Sequence, residues 1–267
     1  MQLLTPIVPN PDAPLGRANP VAKLAAALVI LVALFASLDG VTAALILLAL
    51  IALVPFSGLS PRTLVGRTWP VGIAAISIGV FNVLFASEQL GATVVELGPI
   101  RIGAETMANG FGLGLRLLAI ALAGLLATAT SDPIDLADAL VQQLRVSPRF
   151  AIGVLAGLRL LPLLAQEWNI LGMARRARGV EAGRSPIAAV RLFAGRLLSL
   201  LVGAVRRGSR MALAMEARGF GALPCRSVAR PQPMRPGDWR WIIGALLLAA
   251  AAIGISLVLG TWRPLFG

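Results

Sequence analysis

The length and composition of this chain indicate a membrane protein and exclude most soluble classes. Of its 267 residues, 57% are hydrophobic, and the mean hydropathy is +0.84. A soluble protein this apolar would expose surface that its polar residues could not cover. The net charge is +12, and Lys23 is the only basic residue that is not arginine. Because the arginines lie among membrane-length apolar segments without a nucleic-acid motif, no nucleic acid is expected as a partner.

Several residue types are missing, and their absence narrows the possible chemistry. The chain has no histidine and no tyrosine, and Cys225 is its only cysteine. Disulfides, Cys/His metal sites and histidine-based acid–base catalysis are therefore excluded. No Gly-x-x-x-x-Gly-Lys-Ser/Thr run is present, so the chain has no P-loop of its own. We predict a non-catalytic protein that binds no cofactor or metal ion itself.

Residues 1–20 form a proline-rich, polar lead, which lacks the basic-then-apolar order of a cleaved signal. After it, five segments contain enough apolar residues to cross a bilayer, which takes about 20 residues. Residues 21–130 hold four of them and residues 239–267 hold the last. Because an open sheet cannot satisfy its backbone in lipid, we predict an all-α integral membrane protein with about five transmembrane helices. The spans are Val21–Ser37, Val41–Phe56, Trp69–Ala86, Ala108–Thr130 and Trp239–Leu259.

Residues 131–225 are predicted to form long cytoplasmic helices, joined to the last span by a linker at 226–238. Asp132 and Pro133 are typical of a helix start. A second helix is expected from Pro148 to Gly179, bent at Pro162, and a third from Pro186 to Gly219. The apolar parts of these two helices contain arginines, so we interpret them as amphipathic helices at the membrane or packed inside the protein rather than as spans.

The distribution of basic residues predicts the orientation of the chain. With the N-terminus inside, five spans place 21 basic residues on the cytoplasmic side and two outside, in agreement with the positive-inside rule. The acidic loop Glu88–Glu105 then lies outside. A seven-span arrangement would place the arginine-rich loop Arg175–Arg184 outside, which disfavours it.

Few polar side chains lie within the predicted spans. No Asp or Glu is present there, which disfavours a proton- or sodium-coupled carrier. Asn82 and Arg116 are expected to be satisfied inside the helix bundle. Two series of small residues, 110–114 and 153–157, predict close helix–helix contacts.

Two predicted cytoplasmic helices end with the same three residues. Ala177-Arg178-Gly179 and Ala217-Arg218-Gly219 are forty positions apart, and an apolar residue follows each. One such ending has a simple structural explanation, because arginine complements the helix dipole and glycine forms a left-handed cap. Two matched endings in one region favour a function.

These endings resemble the paired Ala-Arg-Gly motifs of the transmembrane T component of energy-coupling-factor (ECF) transporters, the family that includes the cobalt-transport Q proteins. Three further landmarks occur in the family's order: Asn19-Pro20-x-x-Lys23, Ser131-Asp-Pro-Ile-Asp135-Leu136, and Leu158-Arg-Leu-Leu-Pro162 with Glu167 beyond. Asn19 stands where an aspartate is common. The resemblance extends from Arg17 to Phe220.

The resemblance implies a non-catalytic subunit in a bacterial cell membrane. Such a subunit would bind two cytoplasmic ABC ATPases, which bind the ATP, and a membrane-embedded S component, which captures a vitamin or a transition-metal ion. It assigns ATPase binding to six residues: Ala177, Arg178, Gly179, Ala217, Arg218 and Gly219. One alternative is a stand-alone permease or channel whose basic region binds lipid, and another is a membrane-embedded enzyme. The spans contain no polar pathway, which the permease or channel would need, and no enclosed acid–base residues, which the enzyme would need.

Overall fold

A computed structural model of the chain describes residues 13–86, 93–97, 100–181, 183, 185–220 and 231–262. These residues are almost entirely helical. Their contacts divide the chain into two compact units, residues 1–143 with 232–267, and residues 144–231.

The described residues of the first unit form six α-helices and one β-hairpin. A 3₁₀ turn at Val54–Ser57 follows the second helix. Strands β1 (Thr93–Leu97) and β2 (Ile100–Gly103) pair antiparallel. The helices are α1 (Pro20–Ala36), α2 (Gly40–Leu53), α3 (Pro61–Phe85), α4 (Ala104–Ala129), α5 (Pro133–Gln143) and α8 (Pro236–Val258). The second unit contains two long helices, α6 (Pro148–Ala177) and α7 (Pro186–Ala217).

Short polar side chains begin several of these helices. Asn19 accepts a hydrogen bond from the Val21 N–H at 2.9 Å, and Asp132 accepts one from the Ile134 N–H at 2.7 Å. A proline occupies the first position of both helices, where its missing N–H costs nothing. The helix start predicted at Asp132 is therefore confirmed.

Helices α1, α2, α4 and α8 pack around the core of the first unit, and α3 lies against α4. Leu34, Ile46 and Ala119 are fully buried in this core. Large apolar side chains such as Leu48, Phe81 and Leu247 are more than 60% exposed. An exposed apolar shell around a packed helical core is what a bilayer solvates.

Glycines in α4 allow the neighbouring helices to approach closely. A Cβ built on Gly112 would lie 2.9 Å from the Cα of Gly40, and one built on Gly110 would lie 2.7 Å from the carbonyl oxygen of Gly79. Both distances are shorter than real Cβ contacts. The close contact predicted for the small residues at 110–114 is confirmed.

Among the residues that the structure describes, six helical segments are long and apolar enough to cross a membrane, judged by length and composition. They include α2 to α4, α8, and also α6 and α7; α1 is apolar but has only 17 residues. Each of the five predicted spans therefore overlaps an observed helix. Length and apolarity do not separate α6 and α7 from the spans, so their assignment to the cytoplasmic side rests on their arginines.

The structure contains one element that the sequence analysis did not predict, and it contradicts two expectations. The predicted outer loop contains the β1–β2 hairpin. The side chain of Asn82 is exposed rather than satisfied inside the bundle. In the described residues nothing lies within 4 Å of a Cβ built on Gly153 or Gly157. These two glycines therefore line open space, and no neighbouring helix packs tightly on them.

Candidate functional site

The two helices of the second unit run antiparallel where they touch. Near the end of α6, Arg175 Nη1 donates to the carbonyl oxygen of Leu192 in the first part of α7, at 3.0 Å. Earlier in α6, Glu167 forms an ion pair with Arg207, in the later part of α7. As the chain advances along α6, its contacts therefore move back along α7.

Aromatic and basic side chains contribute to the contact between α6 and α7. The rings of Trp168 and Phe193 meet edge to face with centroids 5.2 Å apart. The Arg196 guanidinium lies over the Trp168 ring, 5.8 Å from its centroid, a distance at which a cation–π attraction operates. Arg196 and Arg207 thus face α6, whereas Arg206 and Arg210 are exposed.

The two Ala-Arg-Gly sequences adopt the same backbone geometry. Arg178 is the C-cap of α6 with φ −90° and ψ 8°, and Arg218 is the C-cap of α7 with φ −88° and ψ 9°. The glycines that follow have φ values of +72° and +73°, a left-handed conformation that costs other residues energy.

Matching hydrogen bonds close both helix ends. At α6 the Gly179 N–H donates to Arg176 O at 2.9 Å and the Val180 N–H donates to Arg175 O at 3.0 Å. At α7 the Gly219 N–H donates to Glu216 O at 2.9 Å and the Phe220 N–H donates to Met215 O at 3.0 Å. This pair of bonds is the Schellman motif. Glycine is therefore needed at 179 and 219 for the backbone, while the arginine side chains remain available for another role.

All six residues predicted as the site are exposed. Within the part of the chain that the structure describes, the Arg178 and Arg218 side chains have neither an ion pair nor a hydrogen bond. Other arginines of the unit do have partners, such as Glu167 for Arg207. An exposed guanidinium without an internal partner can donate several hydrogen bonds to a carboxylate on another protein.

A groove lies beside each helix end. One of about 470 Å³ lies where the end of α6 meets the first half of α7, and Val180 and Phe193 are among its lining residues. Another of about 450 Å³ lies between the start of α6 and the end of α7, and Gly153, Gly157 and Phe220 line it. Gly153 and Gly157, which have no close neighbour among the described residues, thus line the groove beside Arg218.

The antiparallel packing places the two arginines at opposite ends of the helix pair. Arg178 lies near the start of α7, and Arg218 caps its other end. Because α7 has 32 residues, it is about 48 Å long at 1.5 Å per residue. The separation provides space for two protein partners, one at each end.

No site for a metal ion is visible among the described residues, in which no three His, Cys, Asp or Glu side chains come together. The exposed guanidinium at each helix end is able to bind an anionic group.

Residues 12–227 match the family model of the CbiQ cobalt transport proteins. The chain belongs to this family. The match covers both Ala-Arg-Gly sequences and four of the five predicted spans, so the resemblance drawn from the motifs is confirmed.

The chain also resembles curated transmembrane proteins of energy-coupling factor transporters over nearly its whole length. It is 28% identical to the one from Exiguobacterium sibiricum over 91% of this chain and 93% of the relative. It is 29% identical to the one from Heliobacterium modesticaldum over 94% of each, and 27% identical to the one from Thermosediminibacter oceani over 89% and 91%. The protein is thus a multi-pass transmembrane component of an energy-coupling transporter.

The structure also shows what the first family landmark, Asn19-Pro20-x-x-Lys23, contacts. Asn19 caps α1, and its N–H donates to Asp238 Oδ1 of α8 at 2.9 Å. Lys23 Nζ donates to the carbonyl oxygen of Thr130 at 2.7 Å. The first landmark thus joins α1 to α8 and to the end of α4. Sequence reasoning missed Asp238, because nothing local indicates a partner 219 residues away.

Proposed function

We propose that this protein is the energy-coupling subunit of an ECF-type ABC importer. Two cytoplasmic ABC ATPases bind at the ends of α6 and α7, and a separate membrane-embedded S component captures a vitamin or a transition-metal ion. The subunit transmits the conformational change that accompanies ATP hydrolysis to the S component. ATP binds to the ATPases, and this chain performs no chemistry.

The observation that carries the proposal is the pair of matched, exposed arginines at opposite ends of one helix pair. A single capped helix would need no more than a glycine and a dipole partner. Two ends with the same backbone conformation, an exposed arginine and an adjoining groove fit two related partner subunits. Each arginine would pair with a carboxylate as the helix end enters a groove of the partner.

The decisive experiment is co-purification with the two ATPases after substitution of Arg178 and Arg218. Removing one partner of a buried charge pair costs roughly 2–5 kcal/mol, which is about 30- to 4000-fold in affinity. Each Arg→Glu variant should weaken the binding of one ATPase. The double variant should lose both ATPases and ATP-driven uptake by the reconstituted complex, while its insertion into the membrane stays normal.

Two controls separate partner binding from helix capping. Arg206→Glu makes the same charge reversal at an exposed position of α7 away from its end, and should retain the ATPases. Arg178→Gln and Arg218→Gln remove the cation without placing an anion against the helix dipole, and should still weaken binding. If the double glutamate variant keeps both ATPases and transports normally, the two endings are helix caps only.

The lone chain provides a second test, against the permease alternative. Reconstituted in liposomes by itself, it should show neither ATPase activity nor solute flux. Adding two ATPases and an S component should produce ATP-driven uptake. Substantial flux through the chain alone would contradict the proposed division of labour.

A further inference from the structure

An apolar cavity lies between four helices of the first unit. It has a volume of about 310 Å³ and lies between α1, α2, α4 and α8. Its walls are mainly alanine and leucine. Among the described residues that line it, the charged ones are Lys23 and Arg240, and none is acidic. The cavity is therefore suited to a hydrocarbon chain, with basic groups as its charged lining.

A second pocket adjoins this cavity. It has a volume of about 510 Å³ and shares Arg240 and Trp241 with the apolar cavity. Arg17 and Arg235 also line it, so three arginines surround this pocket. A basic pocket and an apolar cavity thus lie next to each other, and Arg240 and Trp241 line both.

The one acidic residue of the second pocket is engaged by the protein itself. Asp238 is 5% exposed. Its carboxylate accepts a hydrogen bond from the backbone N–H of Asn19 at 2.9 Å and another from the backbone N–H of Arg235 at 2.8 Å. Arg240, in contrast, is exposed, and its Nε–H is directed to the carbonyl oxygen of Gly237 at 3.3 Å. The Nη groups of Arg240 are those that can reach a ligand.

We propose that these adjoining pockets bind one anionic glycerophospholipid. Its phosphate pairs with Arg240 and Arg235, and one acyl chain enters the cavity between α1, α2, α4 and α8. Arginine pairs strongly with phosphate oxygens, through parallel hydrogen bonds. Basic pockets between transmembrane helices are known to hold anionic headgroups. Trp241 lines both pockets, and tryptophan is enriched where hydrocarbon meets water.

The site is tested with two photoreactive lipids and the full-length chain in phosphatidylcholine vesicles. One is a phosphatidylglycerol and the other a phosphatidylcholine, each with a diazirine near the end of one acyl chain. The phosphatidylglycerol probe should label peptides of α1, α2, α4 or α8 that line the cavity, several-fold more than the phosphatidylcholine probe does. Excess soluble glycerol phosphate should not displace it, because that anion has no acyl chain.

Two matched pairs of variants locate the headgroup and the chain. Arg240→Gln should reduce labelling by phosphatidylglycerol about fivefold, since a basic residue near an anionic membrane contributes about 1 kcal/mol. Arg62→Gln removes an exposed arginine of α3 outside both pockets and should change nothing.

The second pair blocks the cavity itself. Gly244 lines the cavity, and a Cβ built there meets nothing within 4 Å; the same is true of a Cβ at Gly254, further along α8 and outside the cavity. Gly244→Phe should abolish labelling of the cavity peptides, while Gly254→Phe should preserve it.

Three results would overturn the proposal. Equal labelling by the two lipids would show that the arginines select no headgroup. Displacement by glycerol phosphate would show a site for a soluble anion. Labelling confined to the exposed side of α3 would show ordinary contact with bulk lipid. Should Gly244→Phe fail to fold, the comparison of Arg240→Gln with Arg62→Gln still decides the question.

Discussion

Asp39 lies in the turn between α1 and α2, where it receives hydrogen bonds from three directions. Its carboxylate accepts the Thr42 N–H at 2.7 Å, the Ser256 hydroxyl of α8 at 2.7 Å and the Ser37 hydroxyl. Burial alone would raise the pKa of Asp39, but these hydrogen bonds outweigh it and hold the pKa below the ordinary value of 3.8. The charged form is thus the one that the fold stabilises.

Arg116 of α4 completes this polar cluster. It is 7% exposed, its Nη2 donates to the carbonyl oxygen of Ser37, and it lies close enough to Asp39 for their charges to attract. The sequence predicted that Arg116 is satisfied inside the bundle. Its Nη2 has a partner there, but its buried Nε has no hydrogen-bond partner among the described residues. Its partners could not be predicted, because Ser37 is 79 residues away and Asp39 appears in the sequence only as a turn residue.

Asp39→Asn should destabilise the protein at neutral pH. The substitution leaves a buried arginine without its counter-charge, and we expect a loss of about 1–3 kcal/mol in the free energy of unfolding. Because the pKa of Asp39 is lowered in the fold, the stability that its charge contributes is present above pH 3.8 and is lost as the pH falls through the lowered value. The difference between wild type and variant, measured by thermal unfolding in detergent, should therefore shrink at low pH.

Asp132→Asn is the matched control for this prediction. Asp132 is an exposed helix cap, and asparagine caps a helix about as well as aspartate. This variant should unfold within about 0.5 kcal/mol of wild type at neutral pH. An equal loss of unfolding free energy in both variants would mean that the charge of Asp39 does not stabilise the fold through Arg116.

At the scale of elements, the sequence predicted the helices better than the segments that connect them. The capping residues gave the starts of α5, α6 and α7 correctly, whereas α8 begins at Pro236, before the predicted start of the last span at Trp239. Helix α3, however, begins at Pro61, eight residues before the predicted span at Trp69. Hydropathy detects only the part of a helix that lipid surrounds, and Arg62 and Arg67 lie before it. The short β1–β2 hairpin was missed because its two strands have only five and four residues.

Gly112→Ala tests whether α2 and α4 need their close approach. The added Cβ would lie 2.9 Å from the Cα of Gly40, a backbone atom that cannot rotate away. Overpacking of this kind costs about 1–3 kcal/mol, which thermal unfolding of the purified chain would detect. Gly124→Ala, in the same helix, introduces a Cβ that meets nothing within 4 Å. A loss of stability at 124 as large as that at 112 would indicate a helix effect rather than a packing effect.

At the scale of the whole molecule, the sequence identified the six residues of the candidate site but not their arrangement. The repeat of Ala-Arg-Gly marked both helix ends, because each needs a glycine for its left-handed backbone. Their separation depends on the antiparallel packing of α6 and α7, which arises from contacts such as Glu167 with Arg207. Those residues are forty positions apart, and neither carries a local signal of its partner.

Orientation in the membrane is a property of the whole chain, and it can be tested at a single residue. Cys225 is the only thiol; it lies outside the residues that the structure describes, in the arginine-rich region predicted to be cytoplasmic. The 21 basic residues on one side against 2 on the other predict that orientation. A membrane-impermeant maleimide should therefore label Cys225 in inside-out vesicles but not in intact cells. A variant that combines Cys225→Ser with Glu96→Cys, in the β-hairpin, should show the reverse pattern. Labelling of Cys225 from outside sealed cells would invert the topology and place Arg178 and Arg218 beyond the reach of cytoplasmic ATPases.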